Sequence, residues 1–283
     1  MKKFWFGVDS LKNQKIVSLI SNTAFNIAPN FTTEMGFKFL CNPFSRRDIQ
    51  LPIEPNSSRD ITTQLGNVRL YQFGNLNHKV ALLGHGWADN CRSLTSLIQL
   101  FLDNQYCVYA FDQIGHGNSE GKVAHLFGFI DSWDKVINEL EKEKKITSIV
   151  SHSMGCLAVL NQQQEYLIGK KIVFLSPPTN FFDDMLRNFS RAGLPEELCY
   201  ALLEKVSAQY NTPWRNLSLD NNHEKLSQDF MVVHDINDSV CSYEESSNFY
   251  INTPVKYKTT NGLGHRRALK DKEVQQEIVS FIS

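Results

Sequence analysis

The sequence predicts an α/β fold in which a mostly parallel, doubly wound sheet carries a helical cap insertion. From about residue 60 onward, short apolar runs alternate with stretches of helical periodicity. Most of the runs are almost continuously apolar, as in strands that are buried on both faces of a parallel sheet. The chain has 283 residues, of which 42% are hydrophobic. This length and composition suffice for one large domain with a sizeable core.

The strand candidates share β-branched, aromatic or aliphatic side chains. They are Val68–Phe73, Lys79–Leu83, Cys107–Phe111, Ile146–Ser151, Lys171–Leu175, Phe230–His234 and Val255–Thr259. Helical patterns cover 93–104, 126–144, 154–168, 241–250 and 269–282. Because strands and helices alternate along the chain, we expect parallel strands connected through helices.

Two regions interrupt this alternation. Residues 1–59 are predicted to form an amino-terminal extension with one helix, for which Ser10 is the candidate cap, and a loop rich in Pro, Arg and Ser. Residues 179–225 follow a Ser-Pro-Pro break and have helical patterns without a strand between them. The sequence therefore predicts a helical cap at 179–225, inserted in an α/β core that covers 60–178 and 226–283.

Composition and charge exclude several classes of function. The 29 basic and 30 acidic side chains give a formal charge of −1, without the excess of a nucleic-acid binder. No apolar run approaches the roughly 18 residues of a membrane span, so we expect no integral membrane contact. The first ten residues have a basic start but no apolar stretch after it, which predicts a cytoplasmic protein.

No cofactor or metal is predicted. The six cysteines are scattered, without a C-x-x-C pair or close spacing with histidine, so we expect reduced thiols and no metal site. The sequence also lacks the glycine-rich motifs that bind dinucleotides or nucleotide phosphates.

The strongest local motif is Ser151-His152-Ser153-Met154-Gly155, which lies between a strand candidate and a helical pattern. A small residue two positions before the central serine and a glycine two positions after it permit a sharp strand-to-helix turn. This turn would expose the Ser153 hydroxyl at the carboxyl edge of the sheet. A serine that only caps a helix would have the same local sequence, so the surrounding motifs decide between the two interpretations.

Two upstream motifs support the nucleophile interpretation. The strand candidate Lys79–Leu83 runs into His85-Gly86-Trp87, and a glycine-rich loop covers 112–121. With these motifs, residues 60–283 resemble the α/β-hydrolase fold superfamily. The segment 263–267 is similar to that of a group of bacterial serine hydrolases and esterases. The resemblance implies that the backbone N–H groups of Trp87 and Met154 form an oxyanion hole.

The acid and the base are expected later in the chain, in the order Ser, Asp, His. The resemblance implies that His265 is the base, because it lies in a glycine-flanked turn between the last strand and the last helix. Two carboxylates follow the Phe230–His234 strand. Asp238 matches the superfamily's small-x-x-Asp-x-x-Val pattern and is the predicted acid, with Asp235 as the alternative.

The predicted function is that of a serine hydrolase that cleaves a small-molecule carboxylic ester through Ser153, His265, Asp238 and an acyl-enzyme. Thioester hydrolysis and carbon–carbon bond hydrolysis need the same residues and stay open as alternatives. A non-catalytic binding protein on the same fold is a further alternative, although all three residues are present. An epoxide hydrolase or dehalogenase would need Asp where Ser153 stands.

The predicted cap also contains a candidate substrate pocket. The side chains of Phe181, Phe182, Met185, Leu186 and Phe189 share one face of a helix by their spacing. This face either packs on the fold below it or lines a pocket, for which Phe181, Phe182, Met185 and Phe189 are the predicted walls. Aromatic and methionine walls favour an ester with an apolar acyl chain or an aromatic group.

Overall fold

The computed structural model describes residues 11–44 and 49–283. This part of the chain contains eight strands and ten α-helices. The strands are β1 Ser57–Thr63, β2 Gly66–Phe73, β3 Lys79–Gly84, β4 Tyr106–Phe111, β5 Ile146–His152, β6 Lys171–Leu175, β7 Phe230–Asp235 and β8 Lys256–Thr260. The helices are α1 Leu11–Ile27, α2 Pro29–Leu40, α3 Thr95–Asp103, α4 Leu126–Glu143, α5 Met154–Leu160, α6 Phe181–Arg191, α7 Glu196–Tyr210, α8 Tyr243–Tyr250, α9 Gly264–Arg267 and α10 Lys272–Ile282. Short 3₁₀ turns cover Cys91–Leu94, Gln164–Tyr166, Trp214–Leu217, Asp220–Lys225 and Ala268–Lys270.

All eight strands form one sheet in the order β1-β2-β4-β3-β5-β6-β7-β8. The six neighbouring strands β4, β3, β5, β6, β7 and β8 pair in parallel. In contrast, β2 pairs antiparallel with both β1 and β4. This mostly parallel sheet with flanking helices confirms the predicted α/β class. The sequence did not predict β1, which is an edge strand paired only with β2. Its first residues are polar and exposed, so it lacks an apolar run.

The described chain forms two compact units. The helical unit combines residues 11–42 with 180–221, and the sheet unit combines Pro43–Thr179 with Asn222–Ser283. The sequence predicts the amino-terminal extension and the helical cap as separate segments. In the structure, the described helices of the extension belong to the same compact unit as the helices of the predicted cap. Ser10 and positions 45–47 of the predicted loop lie outside the described residues.

In the helical unit, the amino-terminal segment contains two helices where the sequence predicts one. Pro29 is a first-turn residue of α2, where its missing N–H and fixed φ fit a helix start. Apolar side chains of α1 and α2 pack against α6 and α7. The contacting residues are Phe25, Phe37 and Leu40 on one side and Met185, Leu186, Phe189, Leu198, Cys199 and Leu202 on the other.

In the sheet unit, side chains cap three of the helices that flank the sheet. His125 Nδ1 accepts a hydrogen bond from Gly128 N at the start of α4, and Asp271 Oδ1 accepts one from Val274 N at the start of α10. Ser242 caps α8 in the same way. These caps satisfy N–H groups that the helices themselves leave unpaired. Within residues 11–44 and 49–283, no helix is long and apolar enough to cross a membrane.

Candidate active site

Ser153 lies in the sharp turn between β5 and α5. Its φ of 54° and ψ of −130° are a strained conformation for a residue with a side chain. Its N–H donates to Leu175 O at 2.9 Å, which ties the turn to the neighbouring strand. A Cβ at Gly155 would lie 2.5 Å from Ser151 Oγ and 2.8 Å from His85 O. The turn therefore needs glycine at 155, and it accommodates serine at 151, where the superfamily usually has glycine.

A chain of hydrogen bonds connects Ser153, His265 and Asp238. His265 Nε2 is 3.0 Å from Ser153 Oγ, and His265 Nδ1 is 2.8 Å from Asp238 Oδ2. The Asp238 side chain is 0% exposed and that of His265 is 11% exposed. Because the carboxylate accepts a hydrogen bond from Nδ1–H, Nε2 carries no proton and can accept the serine proton. These three predicted residues follow β5, β7 and β8, at the carboxyl ends of the parallel strands.

Both oxygens of the Asp238 carboxylate accept hydrogen bonds. Oδ1 accepts from Val240 N at 2.8 Å and from Cys241 N at 3.0 Å, and Oδ2 faces His265 and His234. Burial of this carboxyl group raises its pKa, but the hydrogen bonds from His234 and His265 and the charge of His265 outweigh burial. The pKa of Asp238 is therefore held well below its usual range, so the carboxylate stays ionised.

Asp235 has a different set of partners. Oδ1 accepts from Gly264 N at 2.8 Å, and Oδ2 accepts from Leu263 N at 2.9 Å and from Thr260 Oγ1 at 2.7 Å. Burial raises the pKa of Asp235, and these hydrogen bonds lower it below its usual value. Asp235 thus fixes the backbone of the turn that presents His265, whereas Asp238 contacts the imidazole itself.

The loop after β3 passes directly beside Ser153. A Cβ at Gly86 would lie 2.6 Å from Ser153 Cβ, so only glycine permits this approach. His85 Nδ1–H donates to Gly86 O at 2.7 Å, and His116 Nε2 accepts from Ala88 N at 2.9 Å. Two buried histidines therefore fix the backbone on either side of Trp87, one of the two predicted oxyanion donors. The other, Met154, is the first residue of α5, directly after Ser153.

Two further histidines touch the site, and the sequence did not assign them a role. His152 Nε2–H donates to His265 O at 2.8 Å, and the two rings lie 4.8 Å apart. Burial, followed by the charge of His265, lowers the pKa of His152 to about 4. His234 Nε2 lies 3.3 Å from Asp238 Oδ2 and donates to Cys241 O at 3.2 Å. The one sequence signal is position, because His152 is the last residue and His234 the next-to-last residue of a strand that leads into a site loop.

The predicted pocket residues belong to the helical unit. Phe189 is buried and Met185 is half-buried, and both pack in the apolar cluster with α2 and α7. Phe182 is also buried, with its ring 4.9 Å from that of Trp214 and 5.2 Å from that of Phe181. These contacts stabilise the helical unit. The interpretation of the four side chains as pocket walls stays a prediction.

Comparison with known proteins identifies relatives of this arrangement. A family model described as "Serine aminopeptidase, S33" matches residues 76–218. No curated protein matches the chain. No group of His, Cys, Asp and Glu that could hold a metal ion occurs within the described ranges.

Solved structures with the α/β-hydrolase fold are similar to the chain at low sequence identity. The Pyrococcus furiosus esterase Pf2001 is 20% identical, with a TM-score of 0.63 over 85% of this chain and 95% of that one. Est1E from Butyrivibrio proteoclasticus with bound ferulic acid is 17% identical, with a TM-score of 0.57 over 79% and 96%. A thioesterase domain from the curacin biosynthetic pathway is 18% identical, with a TM-score of 0.56 over 80% and 98%. At these identities the likeness concerns the fold alone.

Proposed function

The chain belongs to the serine aminopeptidase (S33) family of hydrolases, within the α/β-hydrolase superfamily, and we propose that it hydrolyses carboxylic esters through an acyl-enzyme on Ser153. The observation that carries this proposal is the hydrogen-bond chain from Ser153 Oγ through both nitrogens of His265 to Asp238. Esterases occur among the structures that share this fold, which supports the choice of ester hydrolysis as the proposed reaction.

In the proposed mechanism, Ser153 Oγ attacks the ester carbonyl carbon while His265 Nε2 takes the hydroxyl proton. The ionised carboxylate of Asp238 stabilises the resulting imidazolium. Collapse of the tetrahedral intermediate breaks the bond to the alcohol, which leaves with the proton from Nε2. Water then attacks the acyl-enzyme with His265 as base and releases the carboxylic acid.

We propose that the backbone N–H groups of Trp87 and Met154 bind the negative charge of the tetrahedral intermediate. Two features support this role: the loop at Gly86 approaches Ser153 closely, and Met154 begins a helix directly after it. A fixed donor of this kind contributes roughly 10²–10³ in rate. A helix N-terminus also favours negative charge.

The proposal is tested by turnover of p-nitrophenyl esters in the wild type and in two serine variants. We expect Ser153→Ala to lower kcat by about 10⁴-fold or more, because the nucleophile is lost. The matched control is Ser151→Ala. Its hydroxyl lies two residues away in the same turn and has no hydrogen-bond partner among the described residues, so we expect activity within a few fold of the wild type. Equal activity of Ser153→Ala and the control would contradict the proposal.

The substrate class is proposed to be an ester with an apolar acyl chain or an aromatic acid. If Phe181, Phe182, Met185 and Phe189 form the pocket wall, each methylene of the acyl chain buried against it would strengthen substrate binding by about 0.8 kcal/mol. We therefore expect kcat/KM to rise with acyl length and then level off. Phe182→Ala should move the optimum to longer chains and spare acetate esters. A flat profile in both proteins would contradict the pocket while leaving ester hydrolysis intact.

Hydrolysis of an amino-terminal peptide bond is the second candidate, because one buried carboxylate could hold an ammonium group. Asp89 is 7% exposed, and its Oδ2 has no hydrogen-bond partner among residues 11–44 and 49–283. It lies in the loop two residues after Trp87, and its charge acts on His152. Aminoacyl p-nitroanilides distinguish the candidates. Turnover of these anilides that is lost in Asp89→Asn, while turnover of esters without an amino group is kept, would favour the peptidase.

A further inference from the structure

Exposed apolar side chains are concentrated on the first two helices. Of the twelve large apolar side chains that are exposed in the described chain, seven belong to α1 and α2. Those on α1 are Ile16, Leu19, Ile20 and Ile27, and Ile27 is 79% exposed. Monomeric proteins seldom expose apolar groups in such a cluster unless the surface contacts something.

The exposed residues form one face on each helix. On α1 they lie at spacings of three, four and eleven, which places them on one side of a 3.6-residue helix. On α2, Phe31, Met35 and Phe39 follow one another at intervals of four. We call these seven residues the apolar face. The other side of the helices is already used, because Phe25 and Phe37 pack into the helical unit.

The charges of α1 and α2 are mainly positive. Residues 11–42 contain three lysines, Lys12, Lys15 and Lys38, and a single acidic residue, Glu34. Glu34 forms an ion pair with Lys205 at 2.8 Å, so its charge is balanced. Residues 43–283, in contrast, contain 24 basic and 28 acidic residues. The apolar face thus lies on the basic segment of an otherwise acidic chain.

From this combination, we propose that the apolar face binds an anionic lipid–water interface, with α1 and α2 lying in the plane of the headgroups. Exposed Ile, Leu, Phe and Met with flanking lysines are the composition of helices that bind such interfaces. A second copy of the chain is less suited to cover this face, because the lysines of the two copies would lie close together and repel each other. This inference goes beyond ester hydrolysis and does not depend on it.

The test is co-sedimentation of the full chain with vesicles of phosphatidylcholine alone and of phosphatidylcholine with about 30% phosphatidylglycerol. We expect binding to the anionic vesicles and at least tenfold weaker binding to the neutral ones. Each lysine near an anionic surface contributes about fivefold in affinity, so Lys15→Gln combined with Lys38→Gln should weaken binding roughly 25-fold. High salt should weaken binding in the same direction, because it screens these charges.

A matched pair of isoleucines controls for general hydrophobicity. Ile27 lies on the apolar face, and Ile251 is equally exposed, at 78%, but belongs to the sheet unit. We expect Ile27→Ser to weaken vesicle binding by roughly tenfold and Ile251→Ser to leave it unchanged. Both side chains are exposed, so both variants should fold, which circular dichroism checks.

Three results would overturn the proposal. The first is no binding to either type of vesicle. The second is binding that Ile27→Ser and Ile251→Ser change equally. The third is a dimer that dissociates in Ile27→Ser but not in Ile251→Ser by light scattering, because the occupant would then be a second copy. None of these measurements uses catalytic activity, so a failure here is distinct from a failure of the proposed ester hydrolysis.

Discussion

The sheet unit and the helical unit are built from different interactions. Around Ser153 in the sheet unit, buried carboxylates and histidines are held by several hydrogen bonds each, as Asp235 and Asp238 are. The helical unit instead packs α1, α2, α6 and α7 through an apolar cluster and leaves one apolar face exposed. A polar network fixes atoms within tenths of an ångström, whereas an apolar face binds without strict geometry. The sheet unit therefore has the precise geometry that a catalytic site needs, whereas the helical unit has the exposed apolar area that a binding surface needs.

Substitutions at the two carboxylates of the sheet unit, Asp238 and Asp235, should have the largest effect and test its polar network. We expect Asp238→Asn to lower kcat by roughly 10⁴-fold, because an amide no longer holds His265 in the required tautomer. Asp235→Asn should mainly lower the free energy of unfolding, by about 1–3 kcal/mol, because it disturbs hydrogen bonds to the backbone of the turn. Kinetics and urea titration of both variants provide the measurement. A larger loss of kcat in Asp235→Asn would mean that the acid is misassigned.

A matched pair of phenylalanines tests the helical unit. Phe189 is 5% exposed in the apolar cluster, whereas Phe31 on the apolar face is 67% exposed. We expect Phe189→Ala to cost about 3–5 kcal/mol in the free energy of unfolding, because it leaves a cavity. Phe31→Ala should change this free energy by less than about 0.5 kcal/mol. Equal destabilisation in urea unfolding would show that the apolar face is part of the core.

A further expected effect concerns pH and two buried histidines of the sheet unit. Burial lowers the pKa of His125 to about 4, and burial together with the charge of His265 does the same for His152. Between about pH 6.5 and 4 the unfolded chain therefore binds more protons than the folded chain. Stability should fall on acidification through this window, by about 3 kcal/mol for each fully buried imidazole.

His125→Asn isolates one of these two contributions. Asparagine also caps helices, so the cap on Gly128 N should be kept and stability at pH 7 should change little. Because the variant does not titrate in this range, its loss of stability from pH 6.5 to pH 4 should be smaller than that of the wild type. Urea unfolding at a series of pH values measures this difference. Identical pH profiles would assign the loss to other groups.

The sequence predicted most of the parallel strands because β3, β4, β6 and β7 are nearly continuous apolar runs. It missed β1, since an edge strand needs no such run, and it missed α2, which begins at Pro29 within the predicted extension. The spacing around Ser153 predicted its turn correctly. Two carboxylates three residues apart, Asp235 and Asp238, could be ranked only by motif. The partners that distinguish them, His265 for Asp238 and the backbone of 263–264 for Asp235, lie more than twenty residues away.

The contacts of His152 and His234 were beyond prediction for a related reason. His152 bonds to a carbonyl 113 residues away, and His234 reaches Asp238 only because the chain turns back after β7. The contact of His152 is long-range and leaves no local pattern in one sequence, and the contact of His234 depends on the conformation of the loop after β7. The apolar residues of α1 and α2 were likewise visible, but only the structure distinguishes those that pack from those that are exposed.

The proposed function depends above all on Ser153 being an activated nucleophile. Incubation of the wild-type protein with a fluorophosphonate, followed by peptide mass spectrometry, tests this role. We expect one phosphonyl group per chain, attached to Ser153, and a strong loss of labelling in His265→Ala. A folded protein that remains unlabelled, or that is labelled at another serine, would contradict it.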